Sequence, residues 1–265
     1  MSKFMIGCDP EIFVGTDTGF KSIIDTIGGT KDFPRPLPEL GEGFAVQEDN
    51  VALEFNIPAS ASKDDFINNV VNARNFLNTV MSDAFGLLLK KESAVYFPEE
   101  ELKDPRALEF GCDPDFNAWT GKRNPRPKAN DARLRSCGGH VHIGYDFTSP
   151  EQALEVVRGM DFYLGLGSVM IDEGELRKQL YGKAGAFRIK PYGVEYRTLS
   201  NFWVWDETLI GWVYDNTSLV LDAVLTGRSF LEYADVINDA INNNNKDLAQ
   251  RLILEHNIPM PVQYA

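Results

Sequence analysis

The stretch Gly138-Gly139-His140-Val141-His142-Ile143-Gly144-Tyr145 alternates between polar and apolar side chains. Because successive side chains of a β-strand point to opposite faces, the two histidines share one face and the two aliphatic residues share the other. The pattern predicts a strand that packs its aliphatic face against a core and presents two imidazoles on the opposite face. The paired glycines ahead of His140 permit a ligand or another backbone to approach closely.

Two further strands and a hairpin of two strands divide in the same way into a polar and an apolar face. We predict strands over residues 4–14, 46–57, 186–190 and 194–199, the last two joined as a hairpin. The polar faces of these strands carry Asp9, Glu11, Glu48, Asn50, Glu54, Arg188, Lys190, Glu195 and Arg197. A sheet with one solvated face would explain any single segment. The concentration of Asp, Glu, His and Arg in all of them indicates a functional face instead.

Helical patterns are mixed with these strands along the chain, which predicts an α+β fold rather than a repeating βα array. A helix begins in capping-box fashion at Ser62-x-x-Asp65, and a second begins at Ser149-Pro150. Further helices are expected at about 206–226, 234–242 and 246–255. No segment has the composition of a linker, so we expect one domain over residues 1–265.

The composition excludes several classes of protein. With 39 acidic and 26 basic residues the net charge is −13, which disfavours a nucleic-acid-binding face. There is no apolar run of the roughly 20 residues that span a bilayer and no signal peptide at the start, so we expect a cytoplasmic protein. The three cysteines (Cys8, Cys112 and Cys137) form no CxxC pair and are expected to be small buried residues.

The residue types on the polar faces point to phosphoryl transfer. Clustered carboxylates repel one another and need a compensating cation, and oxygen ligands with one or two imidazoles suit Mg²⁺ or Mn²⁺ better than Zn²⁺. Arg and Lys beside such ions suit a polyphosphate. No Walker A sequence is present, because the glycines of residues 15–22 fail its spacing and fit a hairpin.

Four stretches, taken together and in this order, resemble the glutamine synthetase and glutamate–cysteine ligase superfamily. They are Gly7-Cys8-Asp9-Pro10-Glu11-Ile12-Phe13, residues 47–58, residues 136–144 and Tyr192-Gly193-Val194-Glu195-Tyr196-Arg197. Within that superfamily the chain is most similar to the phage-associated type 2 amidoligases, or COOH–NH2 ligases. The GxHxHxG run, the later ExR and the two preceding acidic strands are specific as a set, and they extend over about residues 7–205.

The resemblance implies a glutamine synthetase-like antiparallel sheet with helices on its outer face and a funnel that holds ATP and divalent ions, Mg²⁺ or Mn²⁺. By motif it implies metal ligands at Asp9, Glu11, Glu48, Glu54, His140 and Glu195. It implies that His142 lies beside a phosphate and that Arg188 and Lys190 contact the ATP phosphates. It further implies that Arg197 stabilises the transferring phosphoryl group or holds the substrate carboxylate, and Glu54, His142 and Arg197 are the expected catalytic residues.

The implied reaction begins with phosphorylation of a carboxylate by ATP, after which an amine attacks the acyl phosphate and forms an amide. The carboxylate and the amine can be small molecules or peptides, and the resemblance leaves them and the oligomeric state open. Three alternatives remain at this point. They are a phosphotransferase to a guanidino group, a zinc hydrolase that uses His140 and His142, and a non-catalytic phage protein that keeps the fold. The clustered like charges argue against the last.

Overall fold

A ten-stranded sheet lies at the centre of the computed structural model, which describes residues 4–109 and 115–264. The strands of the protein are β1 (Met5–Thr16), β2 (Gly19–Lys21), β3 (Arg35–Pro36), β4 (Ala45–Asp49), β5 (Ala52–Asn56), β6 (Leu88–Lys90), β7 (Ala94–Tyr96), β8 (Phe116–Asn117), β9 (Leu134–Ser136), β10 (Gly139–Gly144), β11 (Ala186–Lys190) and β12 (Gly193–Tyr196). The large sheet has the order β3-β4-β5-β1-β10-β12-β11-β8, with β2 and β6 also paired to β1, and β7 pairs with β9 separately. The pairs are antiparallel, so the predicted α+β class with a large antiparallel sheet is confirmed.

The helices are α1 (Lys63–Phe85), α2 (Pro150–Met160), α3 (Leu166–Ile171), α4 (Glu207–Leu225), α5 (Ala234–Asn242) and α6 (Lys246–Glu255). Both predicted starts are confirmed, because Ser62 accepts a hydrogen bond from the amide of Asp65 and Ser149 from that of Gln152. A single π-helical turn, Asp161–Gly165, connects α2 to α3 and was not predicted. Within the described ranges, no helix combines the length and the apolar character that a membrane span requires.

The apolar face of the sheet packs against the helices and forms the main core. Fully buried apolar side chains of β1, β10 and β12 meet those of α1, α2 and α4 there. They include Ile12, Val141, Ile143, Val194, Phe66, Val156, Val157 and Val213. Burying each such side chain contributes roughly 1.5–3 kcal/mol, so this layer fixes which face of each strand stays free. Cys8 and Cys137 are buried as predicted, while Cys112 lies outside the described residues.

The prediction of one long strand over residues 46–57 is wrong. The segment is a tight hairpin in which β4 turns into β5 at Asn50, whose φ is 56°. Asparagine tolerates this left-handed conformation better than most residues. The Asn50 side chain also donates hydrogen bonds to the carbonyls of Arg106, Ala107 and Glu109, which fixes the turn against a neighbouring segment.

Candidate active site

Three rows of polar side chains cross the sheet on the face opposite the helices. Register pairs Glu54 with both Gln47 and Glu11, Asp9 with His140, and Glu195 with both His142 and Arg188. Arg197 follows β12 and adjoins His140. Directly paired residues of neighbouring strands point to the same face, so side chains that are distant in sequence converge here. Most of them line a cavity of about 580 Å³, a volume typical of small-ligand sites.

One group of potential metal ligands consists of Asp9, His142 and Glu195, which we call the histidine cluster. Each offers one ligand atom, and these atoms lie within 4.8 Å of one another. His142 Nε2 is 3.1 Å from Asp9 Oδ2, and the adjoining His140 Nδ1 is 3.3 Å from Asp9 Oδ1. The sequence motifs therefore predicted neighbours that the fold does bring together.

Three cations surround Glu195, whose side chain is fully buried. Lys190 Nζ lies 2.7 Å from Glu195 Oε2, Arg188 Nη1 lies 3.6 Å from Oε1, and Arg197 Nη1 donates a short hydrogen bond to Oε1. Arg197 Nη1 is also 3.2 Å from His140 Nδ1. The predicted phosphate-binding cations thus lie together on one side of the cavity, directly beside the histidine cluster.

The charges of the histidine cluster compensate one another. Burial acts to raise the pKa of Glu195, but Arg197 and the histidines lower it to about 2. Burial likewise opposes ionisation of Asp9, but the two histidines hold the pKa of Asp9 well below its usual range. Burial and the Arg197 guanidinium lower the pKa of His140 to about 4, so this imidazole is neutral at pH 7. Burial acts to lower the pKa of His142, but the Asp9 carboxylate raises it.

A second group, Glu11, Asp49 and Glu54, forms the carboxylate cluster, whose ligand oxygens also lie within 4.8 Å of one another. Burial and the neighbouring Asp49 raise the pKa of Glu11 to about 8. Burial, followed by the charges of Asp9, Asp49 and Glu11, raises the pKa of Glu54 well above its usual range. Burial and mutual repulsion in this cluster together exceed the compensation that nearby arginines provide.

Both clusters fit a divalent cation. The carboxylate cluster offers oxygen ligands and excess negative charge, which are what Mg²⁺ and Mn²⁺ require. In the histidine cluster, Asp9 Oδ1 and His142 Nε2 are buried, and their contacts lack good hydrogen-bond geometry. Such atoms are available as ligands, because a buried polar atom without a partner is costly. The donor set thus agrees with a metal-dependent site.

Glu48 does not share the polar face with Glu54, and its predicted placement as a metal ligand is wrong. Its register partner is the core residue Leu53, so its side chain points to the other face. There the carboxylate accepts hydrogen bonds from the amides of Asp25, Thr26 and Gly28, at 2.9, 3.0 and 2.9 Å. The reason is the turn at Asn50, which reverses the strand and shifts which residues alternate together.

Gln47 and Asp49, which were not predicted from the sequence, line the cavity in place of Glu48. The signal that could have found them is Asp49-Asn50, a pair typical of a tight turn between two strands. Tyr192 and Arg177 were not predicted as site residues either. The Tyr192 hydroxyl lies 2.9 Å from His142 Nδ1, and Arg177 is a buried residue that lines the cavity from outside the sheet.

The third histidine takes no part in this site. The ring of His256 packs against Phe162 at 5.3 Å and Tyr233 at 5.1 Å in the helical layer. A zinc site of the hydrolase kind would need further imidazoles beside His140 and His142. The described residues supply carboxylates there instead.

Comparison with known proteins supports the assignment from the motifs. The family model described as phage phiEco32-like COOH.NH2 ligase-type 2 matches residues 130–249. The matched range includes His140, His142, Glu195 and Arg197, and the name of the family denotes carboxylate–amine ligases. No curated protein matches the chain. The family resemblance inferred from the motifs is confirmed over residues 130–249, which are similar to the phage-type COOH–NH2 ligases.

Proposed function

We propose that the protein is an ATP-dependent carboxylate–amine ligase that forms an amide bond through an acyl phosphate. The observation that carries the proposal is the convergence of two clusters of metal-binding type with Arg188, Lys190 and Arg197 on one face of the sheet. A polyphosphate needs this combination, in which cations and metal ions neutralise its oxygens from several sides.

The histidine cluster and the carboxylate cluster are the proposed metal-holding groups. Bound Mg²⁺ or Mn²⁺ would supply charge neutralisation for phosphoryl transfer. The two clusters involve different rows of the sheet, so each could hold an ion of its own. Asp49 replaces Glu48 in the proposed ligand set.

Arg188 and Lys190 are the proposed binding groups for the ATP phosphates. Their side chains alternate with exposed Ile189 along β11 and line the cavity, on the same face of the sheet as Glu195. Their charges are held near Glu195, which fixes them in position before a nucleotide arrives. Groups fixed in this way lose little freedom on binding.

Arg197 is the proposed stabiliser of the transferring phosphoryl group or of the carboxylate that receives it. Its guanidinium is a planar fork able to bridge two oxygens. Only 9% of the residue is exposed, and it lies between His140 and Glu195 at the cavity wall. A buried wall of this kind also keeps water from an acyl phosphate, which hydrolysis would otherwise destroy.

A screen of carboxylates and amines for ATP-dependent phosphate release tests the proposal. The expected result is phosphate release that needs one carboxylate, one amine and Mg²⁺ or Mn²⁺ together, with an amide as the product. Arg197→Lys serves as the inactive control protein. Turnover without nucleotide would support the zinc hydrolase instead, and a phosphorylated guanidino product would support the phosphotransferase.

A further inference from the structure

Asp161 is a fully buried carboxylate beneath the active-site sheet, on the side of the helices. It begins the π-helical turn Asp161–Gly165 between α2 and α3. Neither the motifs nor the site described above include it. Single π turns within α-helices are frequently found at functional sites.

Four donors surround this carboxylate. Oδ1 accepts hydrogen bonds from the Tyr196 hydroxyl at 2.7 Å and the Thr198 hydroxyl at 3.1 Å. Oδ2 accepts from the Trp119 indole at 2.7 Å and the Gly185 amide at 2.5 Å. A buried carboxylate with this many donors is rigidly held, and hydrogen bonds to a charged group are among the stronger ones.

The two hydroxyl donors are the residues on either side of Arg197. Tyr196 ends β12 and the alternation continues just beyond it: Tyr196 and Thr198 contact Asp161 on the side of the helices, while Arg197 lines the cavity. The Arg197 amide also donates to the Ala186 carbonyl at 2.9 Å, so the backbone is held at the same point. Asp161 therefore accepts hydrogen bonds from both neighbours of Arg197, the proposed phosphate-contacting residue, on the opposite face of the sheet.

The space around this contact is closely fitted. A side-chain carbon added at Gly165 would lie 3.0 Å from the Tyr196 hydroxyl and 3.3 Å from Asp161 Oδ1. The π turn therefore brings a glycine and a carboxylate to the same point under the sheet. A residue larger than glycine at position 165 would therefore crowd both the hydroxyl and the carboxylate.

We propose that Asp161 is a positioning residue, which holds Tyr196 and Thr198 so that Arg197 keeps its place in the phosphate-binding cavity. A displacement of a transition-state or phosphate contact by about 1 Å is enough to lower its contribution strongly. The inference rests on the proposed function, because Mg²⁺–ATP is the probe that reports the placement of Arg197.

A double-mutant cycle of Asp161→Asn and Arg197→Lys tests the inference, with Mg²⁺–ATP affinity measured by calorimetry. Asp161→Asn keeps the size of the side chain and changes its charge and donor pattern. We expect it to weaken ATP binding roughly 5- to 10-fold in the wild-type background, and less than about 2-fold when Arg197→Lys is already present. Thr217→Val is the matched control, because it removes a buried hydroxyl in α4 that bonds only a backbone carbonyl. It should leave ATP affinity unchanged in both backgrounds.

The outcomes separate the inference from the proposed function. Absence of Mg²⁺–ATP binding in the wild type contradicts the proposed function itself. If the wild type binds and Arg197→Lys weakens binding, two results overturn the role of Asp161 alone: unchanged affinity in Asp161→Asn, or equal losses in both backgrounds. Should Asp161→Asn not fold, Tyr196→Phe, which removes one of the two links, decides in its place by the same criterion.

Discussion

Replacing Glu11 by Gln is expected to stabilise the protein when no metal is present. Glu11 lies in the carboxylate cluster, and its Oε2 accepts a hydrogen bond from the Gly138 amide at 2.7 Å. A glutamine keeps the size of the side chain and can still accept that bond through its amide oxygen. The substitution therefore removes a repelled negative charge and little else.

The magnitude follows from the pKa of Glu11, which burial and Asp49 raise from 4.5 to about 8. A glutamate whose pKa is raised by folding loses stability as the pH rises from the unfolded value towards the folded one. At pH 7 the interval above the unfolded pKa of 4.5 is about 2.5 units, or at most about 3.4 kcal/mol at 1.36 kcal/mol per unit. For a chain of this size that corresponds to roughly 5 to 10 °C in melting temperature.

The assay is thermal unfolding between pH 4.5 and 8, once in EDTA and once in Mn²⁺. In EDTA the advantage of Glu11→Gln over the wild type should be near zero at pH 4.5 and grow up to pH 8. In Mn²⁺ the order should reverse, because an ion bound only by the folded state stabilises it and the variant lacks one ligand.

Glu232→Gln provides the control, since it makes the same substitution at an exposed position in the helical layer. It should follow the wild type in both buffers. If Glu11→Gln were no more stable than the wild type in EDTA at any pH, the picture of a strained carboxylate cluster would be refuted. An equal response of both proteins to Mn²⁺ would refute the metal site at Glu11.

Three further predictions address other parts of the site. Arg197→Lys should slow single-turnover ATP cleavage by about 3 orders of magnitude while the melting temperature stays close to that of the wild type; near-normal cleavage with a lowered melting temperature would mark a structural salt bridge. Glu48→Gln should lower the melting temperature and preserve Mg²⁺–ATP affinity, because the Glu48 carboxylate accepts hydrogen bonds from three backbone amides on the side of the sheet away from the cavity. A loss of Mg²⁺–ATP affinity in this variant would show instead that Glu48 belongs to the site. ATP should bind more tightly with Mg²⁺ than in EDTA by calorimetry, and equal affinities would argue against both clusters.

Strict alternation made most of the sheet predictable. In β1, β10 and β12 the apolar residues face a helical core, so the opposite parity had to carry Asp9, Glu11, His140, His142 and Glu195. Helix starts were predictable for a similar reason, since a serine cap satisfies specific orphan amides at Ser62 and Ser149. These elements depend on interactions between residues that are close in sequence, so the sequence alone predicts them.

The remaining features depend on contacts between segments that are distant in sequence. The turn at Asn50 is stabilised by carbonyls of residues 106–109, more than fifty positions away. The alternation of side chains does not show this turn, so residues 46–57 were predicted as one strand and Glu48 was assigned to the wrong face. Arg177 and Asp161 carry no motif, and Tyr192 begins a matching stretch but had no predicted role; tertiary packing places Tyr192 against His142, Arg177 at the cavity and Asp161 against Tyr196. Residues of this kind become visible only when strands and helices are placed against each other.

Transfer of an oxygen isotope tests the central claim most directly. The carboxylate substrate found in the screen is labelled with ¹⁸O, and the phosphate released with ATP, amine and Mg²⁺ is examined by mass spectrometry. An acyl phosphate leaves one carboxylate oxygen on the phosphate, so one ¹⁸O per amide formed is the predicted result. Amide formation with unlabelled phosphate would contradict a carboxylate–amine ligase that works through an acyl phosphate.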